Sequence, residues 1–189
     1  MTARVLDRES GRSEQKWGRR SLWSLLLLVP LALAIEAYDS VKALLSDDDL
    51  FPRRVAWGET ARFGGSDWKL TDLRGAFGMS NLPPDSVPVL ADFQVKIGNP
   101  DLQNLWLGCR IMLIDKDGRR WSPTSIVSLK TTDNVQTCIS AIFSGAKSGD
   151  TLNLRETFLV PKEATKTIQP AVGVASERPH FLLFQLEKD

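Results

Sequence analysis

The stretch VLADFQVKI, residues Val89–Ile97, decides the fold class. Val89, Ala91, Phe93, Val95 and Ile97 are apolar, while Asp92, Gln94 and Lys96 between them are polar. Side chains of an extended strand alternate between two faces, so this period of two reads as a strand with one face in a core. Gly98-Asn99-Pro100 follows and ends it as a turn.

The same period recurs outward along the chain. Cys109, Ile111 and Leu113 alternate ahead of an Asp117-Gly118 turn, and Trp121 begins a return strand. Leu152, Leu154, Phe158 and Val160 alternate within Thr151–Val160, which Pro161 closes. Glu156 falls on that apolar face, which implies a bulge or a shifted register. Ile168–Val174 and Phe181–Leu186 add two strands, and Trp57, Phe63, Trp68 and Leu70 suggest two more. Residues 75–87 and 99–108 read as long connections, with helical turns expected around Pro123–Val127. Seven or eight short strands without a long amphipathic helix predict an antiparallel β-sandwich or barrel over residues 55–189.

The N-terminal part has a different character. Ser21–Ile35, SLWSLLLLVPLALAI, carries no charge. Arg4, Arg8, Arg12, Lys16, Arg19 and Arg20 precede it, whereas Glu36, Asp39, Asp47, Asp48 and Asp49 follow it. Basic residues before an apolar run and acidic ones after it place the N-terminus in the cytoplasm and the domain outside. Fifteen helical residues rise about 22 Å, short of roughly 30 Å of hydrocarbon. One reading extends the helix to Tyr38 as a single-pass anchor, with Trp17, Trp23 and Tyr38 at the interfaces. The other takes Ala32-Leu33-Ala34 as a signal-peptide cleavage site. The anchor is preferred, because twenty residues before the run are long for a signal. The expected organisation is a disordered cytoplasmic tail over 1–20, a transmembrane anchor over 21–38 and a juxtamembrane stalk over 39–54. In that stalk Asp47-Asp48-Asp49 reads as a solvated spacer rather than a calcium site.

The chain has two cysteines, Cys109 and Cys138, and neither lies near the apolar run, so a lipid-modified cysteine anchor is ruled out. In an oxidising compartment such a pair forms one disulfide, stabilising by on the order of 3 kcal/mol through loop closure. The alternative is two separate buried thiols.

Several landmarks carry a family resemblance: Gly58, then Trp68-Lys69-Leu70, then VLADFQVKIGNPD (Val89–Asp101). RIMLIDKDGRRWSP (Arg110–Pro123), SGDTLNLRETFLVP (Ser148–Pro161) and the apolar Phe181–Leu186 complete them. In this order they resemble the DUF4352-type domain of bacterial membrane proteins and lipoproteins over residues 55–187, with Arg155 where that family often has Gly. The resemblance implies an extracytoplasmic immunoglobulin-like β-sandwich used for binding or envelope interaction.

The catalytic inventory is sparse. His180 is the only histidine, beside Pro179, and reads as a loop or strand-edge residue rather than a general base. One histidine and two distant cysteines do not make a zinc site, so neither a metal nor a cofactor is expected. Asp115-Lys116-Asp117-Gly118 lacks the later ligands of a calcium loop, since Arg119 and Ser125 stand at those positions, and reads as a hairpin turn. Near-neutral charge, 24 Lys+Arg against 23 Asp+Glu, argues against nucleic acid as a partner. Trp106, between Leu105 and Leu107, is the tryptophan with most claim to a ligand contact, although core packing is the better reading. The function expected is a non-catalytic, membrane-anchored envelope module for a protein or polymer partner. The alternative is an accessory subunit of an exported enzyme or transporter.

Overall fold

The computed structural model describes residues 6–75, 82–125 and 135–186. The chain divides into two compact units, Met1–Leu44 and Leu45–Asp189. The first is dominated by one helix, α1 (Leu6–Asp47). The helix starts far earlier than the disordered tail expected over 1–20, and it runs through Pro30 without ending. Within it, Trp23–Ser46 forms a stretch of 24 residues with mean hydropathy 1.6. At 1.5 Å per residue that is about 36 Å, enough to cross the hydrocarbon of a bilayer. The sequence reading ended the anchor at Tyr38, whereas the helix continues through Val41, Leu44 and Leu45. None of the stretch is buried, which separates it from the core helix of a soluble domain.

The second unit is a β-sandwich. One sheet has the order β1-β9-β8-β5-β6 and the other β2-β3-β4-β7. The first is built from β1 (Phe51–Val55), β5 (Arg110–Ile114), β6 (Arg120–Trp121), β8 (Gln169–Gly173) and β9 (His180–Phe184). The second holds β2 (Thr60–Phe63), β3 (Ser66–Gly75), β4 (Ser86–Ile97) and β7 (Thr151–Pro161). All pairings are antiparallel except β1 with β9, which is parallel. Pairing of β4 with β7, of β5 with β8 and of β8 with β9 matches the B–E, C–F and F–G pairings of an immunoglobulin-like sandwich.

Alternation in β4 and β7 builds the core. Val89, Ala91, Phe93, Val95 and Ile97 face Leu154, Phe158 and Val160 on one sheet, and Ile111, Leu113, Val172, Leu182 and Phe184 pack from the other. Phe93 meets Trp68 and Phe184 edge to face, at 6.3 and 5.4 Å between ring centroids. The register of β4 on β7 is unbroken through Ala91↔Glu156, so Glu156 is buried without a bulge. The irregularity of this sheet falls instead in β3, between Leu70 and Asp72.

Two other expectations change. Of the stalk assigned to 39–54, residues through Asp47 belong to α1, while Asp49 is buried in the domain and Phe51–Arg54 lie in β1. Pro52 sits within β1, an edge strand, where its missing N–H costs nothing. Pro123–Ser125 is not helical, and the remainder of the expected turn lies outside the described residues. The connection over 99–108 contains a short helix, α2 (Leu102–Leu105). Another, α3 (Cys138–Ala141), precedes β7 and is capped by Thr137 and Ser140 in a reciprocal pair of hydrogen bonds.

Candidate binding groove and comparisons with known proteins

The two sheets part along the side where β6 and β7 are the edge strands. A groove of about 780 Å³ lies there, lined by Arg110–Met112, Arg120, Ser122–Ser125, Val135–Thr137, Ile139 and Arg155–Thr157. Its floor exists because β6 is only two residues long. β6 pairs with β5 at Leu113↔Trp121 and Ile114↔Arg120. Continuing that register would set Pro123 opposite Ile111, and proline has no N–H to give the ladder. Along Arg110–Met112, β5 is thus paired with β8 on one side and with no strand on the other among the described residues. The facing edge of β7 is closed in part by a parallel bridge from Gln136 to Leu154 and by Thr124 N–H donating to Thr157 O at 2.8 Å.

The charged groups along the groove are held by the domain. Arg155 donates to Asp92 across the β4–β7 pair, its Nη2 at 3.0 Å from Oδ2. Arg110 Nη2 lies 2.8 Å from Asp49 Oδ2, and Arg120 Nη2 donates to Asp49 O at 3.3 Å. Glu156 Oε1 accepts from Cys138 N–H at 2.9 Å. Burial pushes the Glu156 carboxyl above the usual carboxylate range, and that hydrogen bond offsets only part of the effect. Gln136 Oε1 is buried and accepts no hydrogen bond.

Asp49 was invisible as a structural residue, since it closes an acidic triplet in a segment without periodicity. In the fold its carboxylate lies over Gly173, where a Cβ would overlap it, between Arg110 and Arg178, the latter at 3.5 Å. The only sequence signal was a glycine at the end of an apolar strand, a mark of close approach by another group.

The residues singled out from sequence separate as follows. Cys109 and Cys138 are brought together, with Cα atoms 5.9 Å apart and sulfurs at bonding distance. Both are buried, and the link joins the start of β5 to α3 rather than bridging the sheets. Trp106 does not reach a ligand surface. It is fully buried, its indole N–H donates to Gly64 O at 3.0 Å, and its ring lies 4.8 Å from that of Trp68. Core packing, the preferred reading, is what the structure has, since the α2 turn rolls Trp106 inward and Leu107 outward. Trp57, read as part of a strand, sits in the turn after β1 and is 40 % exposed. His180 starts β9, three strands from β6, beside the ring of Phe51.

Asp115 anchors the β5–β6 turn as expected. It accepts from the N–H groups of Asp117 and Arg119, at 3.0 and 2.9 Å, and from Arg119 Nε at 2.7 Å. Partial burial alone would raise its pKa; these donors outweigh it and hold the carboxyl below its usual value.

The fold and the helix before it define an immunoglobulin-like β-sandwich protein with a membrane-length apolar N-terminal helix. No family model matches the chain, and no curated protein does. Among solved structures it is similar to an uncharacterized β-sandwich protein from Clostridium difficile, at 14% identity over 75% of this chain and 98% of that one, with a TM-score of 0.45. The yjhA protein from Bacillus subtilis is 12% identical over 69% of this chain and 99% of its own, with a TM-score of 0.46. A secreted protein from Mycobacterium tuberculosis is 16% identical over 71% and 98%, with a TM-score of 0.46. At these identities the likeness concerns the fold alone.

Proposed function

We propose that this chain is a non-catalytic binding module of the cell envelope, of the DUF4352 type, held on the outer face of a membrane by Trp23–Ser46. The groove between β5 and β7 carries this reading. Among the described residues, it offers a strand edge without a partner along Arg110–Met112, the guanidiniums of Arg110 and Arg120 held beside it by Asp49, and the Gln136 acceptor, which has no hydrogen-bond donor. That mixture suits an extended segment with its own amide donors and acceptors, which would add to the sheet at β5. His180, the chain's one histidine, starts β9 and lies away from the groove.

The test is co-purification of the full-length chain from detergent-solubilised native membranes. Wild type is expected to retain a defined protein or polymer partner, and Ser122→Trp, which fills the groove, to lose it at least tenfold. An unchanged partner pattern in the variant would move the binding site elsewhere. Recovery of the wild-type chain alone would remove the binding-module reading.

A further inference from the structure

Among the described residues from Phe51 onward, the large apolar side chains left exposed are Phe51, Trp57, Leu107, Ile139 and Phe143. They are not scattered. Phe51 begins β1 opposite His180, the first residue of β9. Leu107 sits two residues before the buried Cys109, whose sulfur partner is Cys138, the neighbour of Ile139. Ile139 and Phe143 stand four apart on one face of α3 and the turn that extends it, with Cys138 and Ala141 turned into the core. Four of the five thus lie at the end of the sandwich where β1, β5 and β9 begin; Trp57 lies at the other end, after β1. Leu107, Ile139 and Phe143 are 63 %, 65 % and 72 % exposed, large values for side chains of this kind in a water-soluble domain.

The polypeptide joins the domain at the same end. Asp49 is pinned there by Arg110 and Arg178, and the N–H groups of Leu50 and Phe51 donate to Pro179 O at 2.8 and 3.0 Å. The apolar stretch long enough to span a bilayer ends at Ser46. Three residues reach at most about 11 Å even when fully extended. A domain tied so short to a membrane-spanning helix cannot carry this end far from the headgroups.

We propose that Leu107, Ile139, Phe143 and Phe51 form a lipid-contacting surface that seats this end of the sandwich in the interfacial layer of the membrane. The inference rests on the anchoring reading above and adds to it a lipid-facing patch on the domain. Its occupant is lipid rather than a second protein, because the tether presents the patch to the bilayer first. The contact is apolar in character: Arg110 and Arg178 are engaged by Asp49, and Asp101, Asp150 and Glu177 lie at the same end. It therefore depends little on anionic lipid or salt, unlike polybasic membrane segments.

The experiment uses the full-length chain reconstituted in vesicles of phosphatidylethanolamine and phosphatidylglycerol. The photo-reactive p-benzoylphenylalanine replaces Phe143 in one sample and Trp57 in another. Resistance of each chain to carbonate extraction is scored first, and extraction of the chain would overturn both the anchoring reading and this inference. For the retained chain, lipid adducts at position 143 are expected to exceed those at position 57 by at least fivefold, in low and high salt alike. Equal yields at the two positions, no lipid adduct at 143, or adducts to a second copy of the chain would each overturn the lipid-contact surface while leaving the anchor standing. A paired Ile139→Ser, Leu107→Ser chain, altered only at exposed positions, is expected to lower the lipid adduct at position 143 several-fold; an unchanged yield would overturn the proposal.

Discussion

At the scale of single residues, two carboxylates decide more than the motifs do. Asp49 is buried because two guanidiniums and a missing Cβ make room for its charge. Asp49→Ala is expected to lower stability by about 2 kcal/mol through loss of its charge-assisted hydrogen bond with Arg110 and its ion pair with Arg178. Gly173→Ala is expected to cost a similar amount, about 2 kcal/mol, by displacing the carboxylate from its arginines. The two losses share one cause, so the double variant should be little worse than either single one; additive losses in denaturant titration would refute the coupling. Glu156 acts in the opposite sense. Its folded pKa is raised, so the folded state binds a proton that the unfolded state has already released. Stability then falls as pH rises from the ordinary glutamate value through the raised one, and is flat above it. Glu156→Gln keeps the acceptor for Cys138 N–H and should remove this fall. Thermal midpoints of both chains between pH 4 and 8 would check it, and parallel curves would contradict it.

At the scale of elements, periodicity was legible where one face of a strand meets the core. β4, β5 and β7 follow directly from Val89–Ile97, Cys109–Leu113 and Leu152–Val160. β1 was not legible, because Phe51, Pro52, Arg53 and Arg54 are all exposed and only Val55 enters the core. An edge strand is defined by its partner's hydrogen bonds and not by its own pattern. The Cys109–Cys138 link belongs to this scale too, since it fastens α3, with only one turn of helix, to the sheet. Mutating both cysteines to serine is expected to destabilise the domain by about 3 kcal/mol by loop-closure entropy. Chemical denaturation with and without reductant measures it. Wild type should shift on reduction, and the double serine chain should not; two freely alkylated thiols in the folded, unreduced protein would exclude the bond.

At the scale of the whole molecule, the proposal makes the helix and the sandwich parts of one device, a short tether and a seated domain with a side groove. Protease added to spheroplasts is expected to remove the sandwich while a tag at the N-terminus stays protected. Digestion only after lysis would reverse the proposed topology, whatever the fate of the groove. The sequence reading ended the anchor at Tyr38 and assigned Val41, Leu44 and Leu45 to a stalk, whereas one helix carries them on to Asp47. An α-helix satisfies its backbone internally, so Glu36, Asp39 and Lys42 do not interrupt it.

The sequence by itself determined the β-sandwich and the apolar helix before it, because alternation and sustained hydropathy are local properties, written residue by residue. It also named the two cysteines, though not their distance. Only the tertiary structure decided that Trp106 turns inward, that Asp49 is buried over Gly173, and that β5, among the described residues, has no partner strand opposite Pro123. It alone gathered Leu107, Ile139 and Phe143 at the end where the tether arrives. Each of these depends on which segments the fold brings side by side, and the pairing of distant segments has no period for a single chain to display.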